Sequence, residues 1–258
     1  MSQPLKVFIT GASSGIGAAL AAEYARRGAI LGLVARRADA LAGFRQSHPQ
    51  SSVSLYPADV RDAEALADAA RAFIEAHGLP DIVIANAGVS QGAITGHGDL
   101  ATFRDVMDTN YFGMVATFEP FAAAMSAARR GTLVGIASVA GVRGLPGSGA
   151  YSASKAAALA YLEALRVEMR PFGVSVVTIA PGYIRTPMTD KNPYPMPFLM
   201  DVDHFAAKSA EAIARGTPFA IFPWPMRVAA ALLRMLPRWL YDRVFERAPR
   251  KPRAAADH

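Results

Sequence analysis

The sequence predicts one α/β domain on a doubly wound parallel sheet, extended at its C-terminus by helices. Three observations carry this. Between Lys6 and Phe222, short β-branched and apolar runs alternate with longer segments of helical periodicity, the order that yields βαβ units. The runs are continuously apolar instead of alternating, as in strands covered on both faces. The chain has 258 residues, 52% of them hydrophobic, enough for one large core. Neither an internal repeat nor a low-complexity linker divides it.

Each element follows from local pattern. Val7, Phe8 and Ile9 make the first strand-like run, and residues 16–27 the first helix. Strand-like runs recur at 30–34, 53–56, 82–84, 133–136 and 174–179, with a last one at 218–222. Residues 62–77 read as helix, because Leu66, Ala70, Phe73, Ile74 and His77 repeat at the spacing of one helical face. Asp62 is placed to cap its start, and Gly78 follows its end. The main domain is expected to occupy residues 1–222 and the extension residues 223–258.

Composition excludes several classes of function. There is no cysteine, so disulfides and thiolate metal sites are ruled out. His48, His77, His97, His204 and His258 show no ligand spacing, and no metal is expected. Residues 1–5 lead directly into a strand without the features of a signal peptide, and no apolar stretch reaches bilayer length. A cytoplasmic protein is expected. The net charge is +6, but its distribution matters more. Residues 223–258 hold eight basic side chains (Arg227, Arg234, Arg238, Arg243, Arg247, Arg250, Lys251 and Arg253) against Asp242, Glu246 and Asp257, which is 8 − 3 = +5. The body is therefore nearly neutral, and a nucleic-acid partner is not expected.

After the first strand, Thr10-Gly11-Ala12-Ser13-Ser14-Gly15-Ile16-Gly17 runs into a helix. Glycines let a backbone turn tightly and approach a pyrophosphate, and the helix start adds free N–H groups and the positive end of its dipole. Taken alone, such a triplet is also an ordinary strand-to-helix turn; its position between strand and helix favours phosphate binding. With its G-x-x-x-G-x-G spacing, the segment resembles the glycine loop of the short-chain dehydrogenase/reductase family, in its short single-domain branch. The resemblance runs from about Leu5 to Phe222. It implies a Rossmann-type doubly wound parallel sheet and cofactor contacts from Gly11, Ser13, Ser14, Gly15, Ile16 and Gly17.

The second strand ends Leu33-Val34-Ala35-Arg36-Arg37. Members of the family that prefer NAD carry an acid at this strand end, to hold the ribose 2′-hydroxyl. Ala35 leaves that space open, and a guanidinium pairs with the 2′-phosphate that a carboxylate would repel. NADP(H) is expected in preference to NAD(H), with Arg36 as main contact and Arg37 second. The plain alternative is two solvated arginines opening a helix. The resemblance also places Asp59 and Val60 at the adenine, Asn86, Ala87 and Gly88 beside the cofactor, and Pro181, Gly182, Ile184 and Thr186 at the nicotinamide carboxamide. These segments lie at the C-terminal ends of successive strands, where an open α/β sheet binds its ligand.

Tyr151-Ser152-Ala153-Ser154-Lys155 carries the chemistry. Tyr151 and Lys155, four apart on a helix, share one face. A phenol near pKa 10 is a poor base at neutral pH, and a nearby ammonium favours its ionised form. Tyr151 can then give a proton to a carbonyl oxygen or take one from an alcohol. Ser138 lies thirteen residues earlier, just after the fifth strand, at the family's usual separation for the serine that donates to the substrate oxygen. Asn110, in Asn110-Tyr111-Phe112-Gly113, matches the family asparagine that supports a water relay to the lysine. By resemblance, Lys155 also holds the nicotinamide ribose. Singly, Ser138 is a turn cap, Asn110 a buried amide and the Tyr–Lys pair a surface coincidence; four matches in order make the set.

Residues 187–201 are rich in proline and contribute Met188, Tyr194, Met196, Phe198, Leu199 and Met200. They suit an adaptable apolar pocket for a lipid or steroid-like ketone, or a stiff loop packed on its own domain. Residues 139–148 would form the opposite wall, where Arg143 either meets an anionic substrate or lies on the surface. In the extension, Val228, Leu232, Leu233, Leu236, Trp239, Leu240, Val244 and Phe245 fall near one helical face interrupted at Pro237. Such a basic amphipathic segment can lie peripherally on an inner-membrane surface, pack on the body, close the pocket or join a partner subunit. Residues 250–258 look disordered.

The expected function is hydride transfer between NADP(H) and a carbonyl or secondary alcohol, in a homodimer or homotetramer joined through the helices after Leu100 and Ala150, as the resemblance implies. An epimerase or dehydratase of the longer branch is a rival that the loop spacing disfavours. A non-catalytic NADP(H)-binding regulator or membrane-associated protein is another.

Overall fold

The computed structural model describes residues 3–248 and 250–253. Among them seven strands form one sheet: β1 (Lys6–Thr10), β2 (Ile30–Ala35), β3 (Val53–Pro57), β4 (Ile82–Ala85), β5 (Thr132–Ile136), β6 (Ser175–Pro181) and β7 (Phe219–Phe222). All neighbours are parallel, in the order β3-β2-β1-β4-β5-β6-β7. The chain winds outward from β1 in one direction and then from β4 in the other. Loops after β1 and β4 therefore part at their C-terminal ends and leave a crevice.

The helices are α1 (Gly15–Arg26), α2 (Ala38–Ser47), α3 (Ala63–His77), α4 (Leu100–Met107), α5 (Gly113–Ala128), α6 (Gly149–Met169), α7 (Val202–Ala214), α8 (Trp224–Met235) and α9 (Arg238–Phe245). Two apolar layers bury the sheet, as its uninterrupted apolar strands require. On one face, Leu20 and Tyr24 of α1 and Phe205 and Ile213 of α7 pack on Ile9, Leu33 and Ile179. On the other, Phe73 of α3, Phe118 and Phe121 of α5 and Leu162 of α6 pack on Phe8, Val83 and Leu133.

Local signals place the ends. The Asp62 carboxylate accepts the Ala65 amide at 3.0 Å and so caps α3, while Gly78, at φ +81°, ends it. Between α4 and α5, residues Asp108–Phe112 form one turn of π-helix. The widened turn shifts Asn110 off the regular helical face.

The extension departs from the sequence pattern. It breaks into α8 and α9 at Leu236-Pro237, but the side of α8 that packs is Met226 and Ala230, against Ala180 and Ile221. Val228, Leu232, Trp239 and Val244, grouped by periodicity on one face whose direction the sequence leaves open, are exposed. Periodicity finds an apolar face but not the direction it points. Nor are residues 250–253 loose: Arg253 makes a parallel bridge with Gly92 and ion-pairs with Asp99 at 2.7 Å. The rest of the segment expected to be disordered, 254–258, lies outside the described residues.

Candidate active site

The crevice at the C-terminal ends of the strands is a cavity of about 370 Å³. One side is the loop after β1. Gly11 has φ +70° and Gly15 φ +56°, and a methyl group on Gly11 would lie 2.6 Å from the Ala87 Cα. On Gly17 it would collide with the Gly11 carbonyl and the Asn86 amide. Gly17 therefore allows α1 to start close against the sheet, and it does not line the cavity. Asn86 ties the loop down, its Nδ2 donating to the carbonyls of Thr10 at 3.1 Å and Gly11 at 3.2 Å. Gly11, Ser13, Ser14, Gly15 and Ile16 border the cavity, with the first N–H groups of α1 lacking helical partners. This is a cradle into which the phosphates of a dinucleotide fit.

At one end Ala35, Arg36 and Arg37 face Ala58, Asp59 and Val60 across the cavity. Arg37 donates to the Ser13 hydroxyl at 3.1 Å, and Arg36 stands 3.8 Å from the Asp59 carboxylate. Asp59 is primarily the partner of Arg61, which bonds both its oxygens and also reaches Asp105 at 2.6 Å. The hydrogen bonds from Arg61 hold the Asp59 carboxyl below its ordinary range. The acid on this wall is thus already neutralised, and both guanidiniums of Arg36 and Arg37 border open space.

At the other end Asn86, Ala87, Gly88, Tyr151, Lys155, Pro181 and Thr186 meet. Lys155 is buried, and its ammonium donates to the Ile136 carbonyl at 2.8 Å. Burial pulls that ammonium from its ordinary 10.5 down to about 8. Burial likewise pushes the Tyr151 phenol above its ordinary value, and a hydrogen bond with Ser138 pulls it part of the way back. Burial and Ser138 are the causes of the shift, and Lys155 is not one of them. The ammonium lies 5.9 Å from the ring centroid and is turned to a backbone carbonyl. Ser138 caps the turn Val139–Gly141 by accepting the Ala140 amide at 3.1 Å, and lies just behind the cavity wall.

Asn110 is fully buried and also sits behind the wall. Its Oδ1 accepts the Val89 amide at 2.8 Å, and its Nδ2 donates to the Val89 carbonyl and the Ser154 hydroxyl, both at 2.9 Å. It thereby fastens the loop after β4 to α6, beside Lys155. Gly182 lies against Met226 of α8, and Ile184 is buried and bridges Met200; neither borders the cavity. Val89, Thr109, Ile136, Ala137, Pro187 and Met188 do. Pro187 and Met188 belong to the proline-rich segment already read from the sequence; each of the others adjoins a residue read there or lies at the same strand end, which is the signal that could have found it.

Three further segments lie around the crevice without lining it. Lid residue Tyr194 lies near enough for Tyr183 and Tyr151 to raise its phenol, although burial is the larger cause. The wall after Ser138 is braced by the extension: Arg143 donates to the carbonyls of Leu233 at 2.7 Å and Leu236 at 2.5 Å and stacks 4.1 Å over Tyr241, whose hydroxyl donates to Gly144. Arg143 is thus committed to the end of α8. Finally, residues 250–253 form a strap across the loop after β4. Lys251 donates to the Ser90 hydroxyl at 2.7 Å, Arg253 holds both Asp99 oxygens, and Arg250 lies against Gly147. Arg253 draws the Asp99 carboxyl down to about 2. Local pattern carries no trace of this strap, because its partners lie more than 100 positions away in the chain.

Comparison with known proteins agrees with this arrangement. The family model for short chain dehydrogenases matches residues 6–195. An oxidoreductase of Myxococcus xanthus is 39% identical over 237 residues, covering 91% of this chain and 93% of that protein. Two solved structures share the fold. A short chain dehydrogenase/reductase from Burkholderia phymatum in complex with NAD matches with a TM-score of 0.83 over 98% of each chain at 24% identity. An alcohol dehydrogenase from Thermococcus sibiricus complexed with 5-hydroxy-NADP matches with a TM-score of 0.77 over 85% of this chain and 96% of its own, also at 24% identity.

Proposed function

Since the chain belongs to the short-chain dehydrogenase family and is an oxidoreductase acting on CH–OH or C=O groups, we propose that it binds a nicotinamide cofactor, NADP(H) in preference to NAD(H), and that Tyr151 moves the proton to or from an apolar carbonyl or alcohol. The observation that carries this reading is one crevice bordered by the glycine loop, by Arg36 and Arg37, and by Tyr151 and Lys155. The bound cofactor supplies or accepts the hydride.

The chain's own residues do the rest. Arg36 and Arg37 stand where no free carboxylate competes for a 2′-phosphate, since Asp59 is held by Arg61. Tyr151 keeps its proton at neutral pH, so it is ready to act as an acid on a carbonyl oxygen. The Ser138 hydroxyl bonded to it can share the developing charge. Lys155 turns between the Ile136 carbonyl and the crevice, and Asn110 holds the loop that faces it. Pro187, Met188 and Tyr194 exclude water from an apolar substrate. We assign residues 1–222 to the oxidoreductase domain and 223–258 to an extension. A homodimer or homotetramer would cover Leu100, Phe112 and Val167, exposed on and beside α4–α6.

The test is fluorescence titration of the purified protein with NADPH and NADH. NADPH should bind at least about tenfold more tightly, and Arg36→Ala should erase the margin, since a charge-assisted pair contributes about 1.5–3 kcal/mol. Equal binding of both cofactors by the unaltered protein would remove the NADP assignment. Tyr151→Phe should retain NADPH binding and lose carbonyl reduction by about 10²–10⁴-fold; full activity in that variant would exclude Tyr151 as the proton donor.

A further inference from the structure

A dense group of exposed apolar side chains runs along the extension. Trp224, Val228, Leu232, Met235 and Trp239 are 75%, 51%, 63%, 80% and 70% exposed. Steps of four, four and three positions put the first four on one line along α8, and Trp239 follows the Leu236-Pro237 break in the first turn of α9. The opposite side of α8 packs through Met226 and Ala230. An ordinary surface helix is polar on the side away from the core; this one presents larger apolar side chains outward than inward. Contiguous apolar surface of that kind marks a contact site.

Charge indicates what the contact is. Between Trp224 and Arg247 the extension carries Arg227, Arg234, Arg238, Arg243 and Arg247 against Asp242 and Glu246, which is 5 − 2 = +3. On α8, Arg227 and Arg234 lie seven apart along one flank of the apolar line. A symmetric contact with a second copy would set the same patch against itself and bring like charges together. An anionic bilayer meets both parts of the surface at once: tryptophan settles at the headgroup level, leucine, valine and methionine reach the acyl boundary, and the arginines face lipid phosphates.

We propose that α8 and the start of α9 are a docking surface for an anionic lipid bilayer, lying flat on it with the Trp224–Trp239 line inserted. The braces from Arg143 and Tyr241 then fix the wall of the substrate cleft relative to the membrane. The docking itself does not depend on the hydride-transfer reading. Among the described residues no helix is long and apolar enough to cross a membrane, so the contact is with one leaflet.

The only two tryptophans in the sequence are Trp224 and Trp239, so the protein's own tryptophan emission reads this surface. The full chain is mixed with vesicles of phosphatidylcholine and with vesicles of phosphatidylcholine and phosphatidylglycerol. The expected result is a blue shift and co-sedimentation with the anionic vesicles only, weakened by salt. Leu232→Glu with Met235→Glu should reduce vesicle binding by more than about tenfold, with circular dichroism unchanged. Arg234→Glu with Arg238→Glu should reduce it without altering the apolar line. Emission unmoved by either vesicle, equal binding to both, or a lipid-free blue shift that grows with protein concentration would each overturn the proposal, the last by showing a second copy on the line. NADPH titration, read separately, reports whether the oxidoreductase reading stands.

Discussion

Lys155 is a buried ammonium with a backbone carbonyl as its hydrogen-bond partner, and that has a consequence for stability. Its value falls from 10.5 to about 8 because burial disfavours the charged form. Below about 8 both folded and unfolded chains hold the proton, and the folded chain bears the full penalty. Between about 8 and 10.5 the unfolded chain binds more protons, so stability rises with pH across that window. Comparing urea unfolding of the unaltered protein with Lys155→Met should show this increment in the first and not the second. Parallel pH profiles would mean that the ammonium is compensated throughout. The pairing of Tyr151 with Lys155 was legible in the sequence because helical spacing alone sets which side chains share a face. Which way the ammonium turns was not, since the Ile136 carbonyl lies on another element. Arg61, which neutralises Asp59, is only two residues from it, but an arginine beside an acid in a loop does not say by spacing alone that the two pair.

At the scale of elements, apolar continuity and caps were sufficient to locate the strands and α3, because those signals are local. The turn between β1 and α1 was readable too, and its tightness makes a prediction. A methyl group on Gly17 meets the Gly11 carbonyl and the Asn86 side chain. Both belong to the rigid cradle, so Gly17→Ala should lower stability by about 1–3 kcal/mol and weaken NADPH binding, as read by urea unfolding and titration. An unchanged unfolding midpoint would mean that α1 can shift away from the sheet. The π-helical turn at Asp108–Phe112 and the outward face of α8 were not legible. The first adjoins Gly113, which packs closely against Val60 of another segment, and the second follows from which side of α8 meets Ile221. Both are tertiary choices that a one-dimensional pattern does not contain.

The molecule as a whole is a sheet with one flank completed by its C-terminal strap. At Gly92 a side chain would run into the Pro252 and Lys251 carbonyls, so Gly92→Val should unseat the strap and leave the sheet intact. Trypsin cleavage after Arg250 and Arg253 should then accelerate by about tenfold or more, as local opening becomes easier, with little change in thermal midpoint. Unaltered cleavage would show that the strap is held elsewhere. The strap also sets an order of events in biosynthesis. Ser90, Gly92 and Asp99 leave the ribosome long before Lys251 and Arg253. Until translation delivers them, the loop after β4 has no strap to pair with. A message cut short within α9 would yield a protein with that sheet and a permanently open flank.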